Sequence, residues 1–200
     1  MKKLHEEGRS NVKPNFISFT NVLHAWSNSA EDYGADKAES IMKDLLNLYN
    51  ISYDDEFQPS VQTWNILIDA WVKRVPMLGL KAVRNAYNVF HRMEQFGQKH
   101  GNYIPDTTSY NILMQGLSKS SSSKATSMAE ELFDQMQSCN VLPNKITFNN
   151  LLNVYAQAGD TKNADMILSQ MENGPKHEKP DTIRYVFLYS IISRYNLKLY

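Results

Sequence analysis

Polar side chains that could recognise a ligand recur at one fixed place along this sequence. Asn65, Asn111 and Asn149 each directly follow an aromatic residue, and Thr20 holds the same place in an earlier copy. An asparagine amide offers both a donor and an acceptor, and a hydroxyl can act as either. Other polar residues directly follow a proline further along the chain, at Ser60, Asp106, Asn144 and Asp181. Both sets suit recognition by hydrogen bonding.

Residues that could catalyse a reaction are scattered instead. The five histidines show no H-E-x-x-H spacing, and Cys139 is the one cysteine. Neither a metalloprotease-like nor a deaminase-like zinc site is therefore available. None of the eight glycines falls in a GxxxxGK[ST] or GxGxxG motif that would bind phosphates. The sequence predicts no enzyme, no cofactor and no metal site, and it excludes an internal disulfide framework.

Composition narrows the class of protein further. The 200 residues include 21 Lys+Arg and 21 Asp+Glu, so the formal net charge is zero. This balance argues against a histone-like or polybasic protein, whose affinity comes from bulk charge. No stretch approaches the roughly 18 apolar residues of a membrane span, and the first ten residues lack the apolar core of a signal peptide. We expect neither a membrane nor a small-molecule substrate as a partner.

An internal repeat places the polar residues in register. Each copy reads Pro, three residues, a small or polar residue, an aromatic and usually Asn, and the five copies begin at Pro14, Pro59, Pro105, Pro143 and Pro180. In the first four copies an alanine follows, with leucine or methionine seven positions later: Ala38 with Leu45, Ala86 with Met93, Ala129 with Met136, and Ala164 with Met171.

The spacing within each copy predicts a pair of helices. The two signatures have constant internal spacing, whereas the segments between them vary and give periods of 45, 46, 38 and 37 residues. Apolar residues at i, i+3 and i+4 in the constant segments are typical of one helix face. A loop tolerates an insertion, whereas an insertion inside a helix rotates its apolar face by about 100°. We predict an all-α fold, a right-handed α-solenoid of antiparallel helix pairs, with the extra residues in loops.

The repeat divides the chain into six segments. We predict the tail of a preceding repeat at 1–13, four repeats at 14–58, 59–104, 105–142 and 143–179, and the first helix of a fifth repeat at 180–200. The loops that would hold the extra residues are 53–57, 99–103 and 118–124.

The pattern P-[NSD]-x-x-[ST]-[FYW]-N-x-L, followed by A-x-x-[LMIV]-[FLM]-x-x-M, resembles the pentatricopeptide repeat family. Residues 143–172 match it almost position for position, and the likeness covers essentially the whole chain as a P-class-like array with lengthened repeats. The tetratricopeptide signature W-x-x-L-G-x-x-Y is not found in any copy. The resemblance implies single-stranded RNA as partner, bound one base per repeat without catalysis. It also implies a mitochondrial or plastid location, a role in RNA processing, stability or translation, and other RNA-processing proteins as partners.

The resemblance further implies which residues read each base. These are the residue after the aromatic and the residue after the next proline, giving the pairs Thr20/Ser60, Asn65/Asp106, Asn111/Asn144 and Asn149/Asp181. By the same resemblance Thr with Ser favours A, Asn with Asp favours U, and Asn with Asn favours C. The four pairs would then read A-U-C-U from 5′ to 3′. Val186 holds the reader place of the fifth copy and is expected to be silent, because it cannot form hydrogen bonds through its side chain.

Two further positions of each first helix are candidates for RNA contact. By resemblance, the residue three before the reader clamps the base: Ile17, Gln62, Thr108, Ile146 and Ile183. The residue eight after the reader is basic in three of five copies and could meet phosphates: Lys73, Lys119 and Arg194.

Each of these residue types also has a plainer interpretation. The residues after the prolines are good helix N-caps, and the three basic residues could simply be solvated surface. The recurring asparagines are harder to explain in this way, since Asn is an indifferent helix former. The aromatics could stack on bases, but their fixed place beside apolar residues favours a core role: Phe19, Trp64, Tyr110, Phe148 and Tyr185.

A helical-repeat scaffold for a protein helix or peptide is the alternative function. The zero net charge and the acidic residues 54–56 favour it. A uniformly negative concave face would support this scaffold over RNA binding.

Overall fold

The computed structural model describes residues 14–52, 54–101, 105–120 and 122–173, and within these it contains nine α-helices and no strand. The helices are α1 (Phe16–Ser27), α2 (Gly34–Ser52), α3 (Val61–Val72), α4 (Val75–Leu78), α5 (Leu80–His100), α6 (Thr107–Lys119), α7 (Ala125–Ser138), α8 (Lys145–Ala158) and α9 (Thr161–Asn173). A short 3-10 helix, Asp55–Phe57, precedes α3. The all-α prediction is confirmed. None of the described helices is long and apolar enough to cross a membrane.

The helices stack as pairs. The first helices α1, α3, α6 and α8 pack on one another in this order, and we call them the first-helix row. Their partners α2, α5, α7 and α9 form the second-helix row, in which each helix contacts its own first helix. The helices α2, α5 and α7 also contact the first helix of the next pair. This arrangement is the predicted solenoid of helix pairs.

Side-chain caps fix where the first helices begin. Asn15, Ser60, Asp106 and Asn144 are the N-cap residues, and each side chain accepts a hydrogen bond from the backbone N–H three residues later. Such a cap satisfies one of the free N–H groups of the first turn and contributes about 1 kcal/mol. The proline before each cap cannot continue a preceding helix, so the entry to each first helix is set locally.

The core consists largely of the apolar residues that define the repeat. All four Ala and Leu/Met pairs of the second helices are completely buried, as are Leu67 and Leu113 of the first-helix row. Val22 and Ala25 of α1 are exposed, since no described helix precedes α1 in the row.

Consecutive first helices approach one another closely. A Cβ atom built on Gly116 of α6 would lie 3.0 Å from Cγ2 of Val72 on α3. A larger residue at this place would push the two helices apart, because interiors at native packing density have little free volume.

The extra residues of the first three repeats lie partly in helices, and the prediction that they lie in loops is wrong. Residues 99–100 belong to α5 and 118–119 to α6. The helices α2 and α5 have 19 and 21 residues, whereas α7 and α9 have 14 and 13. The added turns are stabilised by aromatic contacts, with the Tyr49 ring 5.7 Å from Phe96 and 5.3 Å from His100. The short helix α4 takes up further residues between α3 and α5.

The helix pairs coincide with the segments that the repeat predicts. Segment 14–58 contains α1 and α2, 59–104 contains α3 to α5, 105–142 contains α6 and α7, and 143–179 contains α8 and α9. The boundaries themselves stay a prediction. Segments 1–13 and 180–200 lie outside the described residues.

Arg74 connects the first two pairs through backbone carbonyls. Its guanidinium is buried and donates to the carbonyl oxygens of Ser27 at 2.8 Å, Ser29 at 2.9 Å and Glu31 at 3.2 Å. These carbonyls belong to the end of α1 and the connection to α2. A methyl group on Gly34 would overlap the same guanidinium, so this close approach requires glycine.

Replacing Arg74 with methionine should destabilise the fold. The side chain keeps a similar length, but the carbonyls of the α1–α2 connection lose their donors while they stay partly buried. We expect a loss of about 2–3 kcal/mol in the free energy of unfolding, measured by urea titration with circular dichroism. Arg84→Met, at an exposed position of α5, is the control and should change stability by less than about 0.5 kcal/mol. Equal effects of the two substitutions would contradict this role of Arg74.

Candidate functional site

The predicted reader residues meet where consecutive first helices pack. Asn65 lies on α3, and its Nδ2 donates to Oδ1 of Asp106, the N-cap of α6, at 3.1 Å. Asn111 lies on α6, and its Nδ2 donates to Oδ1 of Asn144, the N-cap of α8, at 3.2 Å. The two members of each of these pairs, separated by more than 30 positions in sequence, are therefore in direct contact.

The first pair, Thr20 and Ser60, is joined through a third residue. The Thr63 hydroxyl lies 3.0 Å from the Thr20 hydroxyl and 3.0 Å from the Ser60 hydroxyl. Thr63 is not among the site residues that the sequence predicts. The signal was present, since every described copy of the repeat has Ser or Thr directly before the aromatic.

Only one member of the fourth pair, Asn149, lies within the described residues. Asn149 lies on α8 and is buried, whereas Asp181 lies outside the described residues, as do Val186, Ile183, Arg194 and Tyr185.

The reader asparagines are nearly buried, and two of them keep an unused acceptor. Asn65, Asn111 and Asn149 are 8%, 7% and 5% exposed. The Oδ1 atoms of Asn111 and Asn149 are buried and have no hydrogen-bond partner among the residues that the structure describes. A buried acceptor without a partner costs about 1–3 kcal/mol, which a ligand that donates a hydrogen bond would recover.

The plainer interpretation is correct for the three described proline-following residues, because Ser60, Asp106 and Asn144 are N-caps. Asp106 Oδ1 accepts from the Ser109 backbone N–H at 2.9 Å as well as from Asn65. Asn144 Oδ1 accepts from the Thr147 backbone N–H at 3.1 Å as well as from Asn111. The cap thus fixes the same oxygen that contacts the reader of the preceding repeat, and the two roles are compatible.

A groove of about 470 Å³ opens over the second pair, between α3 and α6. Asn65 and Asp106 line it together with the predicted clamp residues Gln62 and Thr108. Asp69 also lines the groove, and its carboxylate accepts from Lys73 Nζ at 2.6 Å.

The other described clamp residues are exposed at the start of their helices. Ile17 of α1 is 51% exposed and Ile146 of α8 is 58% exposed, although both are large apolar residues. Exposure of this kind is what contact with a flat apolar surface, such as the face of a base, requires.

The two described basic candidates differ in the contacts of their ammonium groups. Lys73 is held by Asp69 and donates to Asn28 Oδ1 at 2.6 Å. Lys119 is exposed and lines a second groove, of about 710 Å³, to which Ser122 and Gln157 contribute. Lys119 is therefore the better placed of the two to bind an anion.

The aromatic residues before the readers belong to the core, as predicted. Trp64, Tyr110 and Phe148 are buried, and the partly buried Phe19 packs against the core. Burial raises the pKa of the Tyr110 phenol well above its usual range. These rings are not available for stacking on a base.

Metal ligands do not gather in the part of the chain that the structure describes: no three His, Cys, Asp or Glu residues there could hold an ion. Cys139 is exposed and its thiol is free.

Comparison with known families gives two overlapping matches. The PPR repeat family matches residues 105–153, and the Pentatricopeptide repeat domain matches residues 131–194. Residues 105–194 of the chain are pentatricopeptide repeats. The matched residues include α6 to α9 and thus the Asn111/Asn144 pair.

Individual pentatricopeptide repeat proteins are also similar to this chain. The PPR5 homolog of Oryza sativa subsp. japonica is 32% identical over 118 residues, covering 57% of this chain and 23% of the relative. A pentatricopeptide repeat-containing protein of Arabidopsis thaliana is 21% identical over 176 residues, covering 88% of this chain and 20% of the relative. Both relatives are named as chloroplastic. The chain spans less than a quarter of the length of either.

A solved structure supports the fold. The crystal structure of the pentatricopeptide repeat protein PPR10 from maize aligns with a TM-score of 0.68 at 17% identity, over 96% of this chain and 24% of that one. The stacked helix pairs of this chain therefore have the architecture of a solved pentatricopeptide repeat array.

The contact between Asn65 and Asp106 predicts energetic coupling between them. In a double-mutant cycle of Asn65→Ala and Asp106→Ala, the coupling should be about 1.5–3 kcal/mol, as for one hydrogen bond to a charged group. Urea unfolding of the four proteins gives the value. Asn65→Ala combined with Asn144→Ala, whose residues belong to different pairs, should be additive. Coupling of the control cycle as large as that of the pair would show that no specific contact is being measured.

Proposed function

We propose that this chain binds single-stranded RNA in a sequence-specific manner, one base per repeat, and acts without catalysis. Pentatricopeptide repeat proteins bind RNA, and helical repeats of this kind read one base with two or three side chains. The observation that carries the proposal for this chain is the direct hydrogen bond within Asn65/Asp106 and within Asn111/Asn144. Each bond holds two polar side chains together at a regular place along the first-helix row.

The chemistry of the second pair suits uracil. Asp106 has a carboxylate, which can only accept, and the Asn65 amide has a second N–H besides the one directed to Asp106. The Watson–Crick edge of uracil presents an N–H donor flanked by carbonyl acceptors. A pair that offers an acceptor beside a donor complements this edge.

The chemistry of the third pair suits cytosine. The edge of cytosine has an unprotonated ring nitrogen and an amino group in place of the donor and one acceptor of uracil. The Asn144 amide can donate to the ring nitrogen, and the unpartnered Oδ1 of Asn111 can accept from the amino group. With Thr20/Ser60 for A and Asn149/Asp181 for U, the preferred bases are A-U-C-U.

The exposed clamp residues and Lys119 would contact parts of the RNA other than the base edges. Ile17 and Ile146 would hold base faces, with Gln62 and Thr108 in the same role at the groove over the second pair. Lys119 would contact phosphate, whereas Lys73 would first have to leave Asp69. The fifth repeat would add Ile183 and Arg194 in the same roles.

The compartment follows from the relatives alone. Their names favour a plastid over a mitochondrion. There the chain would mask or remodel RNA in processing, stability or translation, alongside other RNA-processing proteins.

The alternative, a scaffold for a protein helix or peptide, is less well supported by the charges. The groove over the second pair contains Asp69 and Asp106, but Lys73 neutralises Asp69, and Lys119 lines the next groove. The surface of the first-helix row is therefore of mixed sign, and not the uniformly negative face that would favour the scaffold.

An RNA that contains AUCU should bind more tightly than the same RNA with U and C exchanged, ACUC. Each of the three changed bases loses at least one matched hydrogen bond, worth about 1 kcal/mol. Fluorescence anisotropy with end-labelled RNAs at one salt concentration measures both dissociation constants. Equal affinity for the two RNAs would contradict the base assignments.

The matching change on the protein side is Asn111→Thr. It should move the preference at the third base alone toward a purine, because the hydroxyl replaces the amide of the reader. The second base serves as the internal control, since Asn65 and Asp106 are unchanged.

Lys119→Ala should lower the salt dependence of RNA binding. Loss of one phosphate contact on a single strand reduces the slope of log affinity against log salt by about 0.7. The slope is obtained from titrations at several salt concentrations. Lys162→Ala, at an exposed position of α9 in the second-helix row, should leave the slope as it is. Similar slopes for Lys119→Ala and the unmodified chain would exclude Lys119 as a phosphate contact.

A further inference from the structure

A buried hydroxyl stands beside each described reader pair. Thr63, Ser109 and Thr147 occupy the third position of α3, α6 and α8, directly before the core aromatic, and all three are 0% exposed. In α6 and α8 the hydroxyl accepts from the backbone N–H of the N-cap residue and completes a capping box. This capping role accounts for a hydroxyl at that position, but it does not account for the contacts that the hydroxyl makes across the repeat interface.

Ser109 contacts the reader of the preceding repeat. Its Oγ lies 2.6 Å from Asn65 Oδ1 and 2.9 Å from Asp106 Oδ1. Asn65 Oδ1 can only accept, and a serine hydroxyl has one proton to give. Asp106 Oδ1 already accepts from the Ser109 backbone N–H and from Asn65 Nδ2. The shorter distance therefore assigns the Ser109 proton to Asn65.

Both ends of the Asn65 amide are fixed as a result. Nδ2 is held by Asp106 and Oδ1 is held by Ser109. A rotation of the amide by 180° would place Oδ1 against the Asp106 carboxylate, and the Ser109 hydroxyl would have to turn its proton away from the amide in order to accept from Nδ2. The first contact would be repulsive and the hydrogen bond from Ser109 to Asn65 would be lost, so the second N–H of Asn65 keeps one direction.

The two neighbouring interfaces use the equivalent hydroxyl differently. Thr63 lies 3.0 Å from both members of the Thr20/Ser60 pair and connects them. Thr147 donates to Asn144 Oδ1 at 3.3 Å, and the Oδ1 of Asn111 has no partner among the described residues. The Asn111 amide is therefore held at one end only, through its Nδ2.

We infer that Ser109 is a positioning residue that orients the Asn65 amide and thereby sets the selectivity of the second repeat for its base. This inference rests on the proposed RNA binding, because selectivity has a meaning only if a base is read there. It makes the Asn65/Asp106 pair a stricter reader than the Asn111/Asn144 pair, in which one end of the amide is free to adapt to the base.

The orientation of the amide can be tested without RNA. In Ser109→Ala, the side-chain NH₂ signals of Asn65 in a ¹H–¹⁵N NMR spectrum should shift and their hydrogen exchange should accelerate. Ser109→Thr keeps the hydroxyl and should restore both properties. Thr147→Ala removes the same capping-box bond at the next interface and controls for the loss of the cap, so it should leave the Asn65 signals in place. Asn65 signals that are the same in Ser109→Ala and the unmodified chain would overturn the inference.

The second measurement is the ratio of affinities for RNAs with U or C at the second base. Loss of one orienting hydrogen bond should reduce this ratio in Ser109→Ala by roughly two- to tenfold, whereas Ser109→Thr and Thr147→Ala should retain it. A merely structural role would weaken both RNAs equally and keep the ratio, which would overturn the inference. A ratio of one in the unmodified chain would instead overturn the base assignment, and the Asn65 signals would still decide whether Ser109 orients the amide.

Discussion

Contact between consecutive first helices brings together the two members of the described pairs Asn65/Asp106 and Asn111/Asn144. The close approach of α6 to α3 at Gly116 and Val72 brings the N-cap of one helix against the body of the preceding one. Asp106 and Asn144 can then accept hydrogen bonds from Asn65 and Asn111. If the helices stood farther apart, the caps would still form, because they are local. The pairs across the interface would be lost, and with them the regular display of polar groups.

The asparagine amides at these interfaces are almost completely buried. An amide that is more than nine-tenths buried needs partners for both of its ends, and the structure provides them to different extents. Asn65 is held at both ends by Asp106 and Ser109, whereas Asn111 and Asn149 keep an acceptor without a partner in the described part of the chain. The Asn65/Asp106 and Asn111/Asn144 pairs occupy equivalent places, but they differ in how rigidly they are held. Such differences would give repeats of one array unequal contributions to specificity.

The residues that lengthen some repeats lie away from the contact between first helices. The longer repeats extend α2 and α5 by additional turns, which Tyr49, Phe96 and His100 bury against one another, and add the short helix α4. Members of the second-helix row also meet through polar side chains, such as Arg92 with Glu39 and Gln135 with Glu94. The first helices, unlike α2 and α5, all have 12 to 14 residues. The spacing along the first-helix row is thereby protected.

The sequence by itself determined the helix pairs, the caps and the core. These features depend on periodicity and on contacts within a few residues, so the fixed spacing from proline to reader and from Ala to Leu or Met was sufficient to predict them. The pairing of Asn65 with Asp106 was anticipated only through the family resemblance. Only the tertiary structure decided that Ser109 reaches Asn65 while Thr147 does not reach Asn111, that Lys73 is held by Asp69, and that helices extend into 99–100. These outcomes depend on distances of a few tenths of an ångström between residues far apart in the chain, which residue types and their order do not specify.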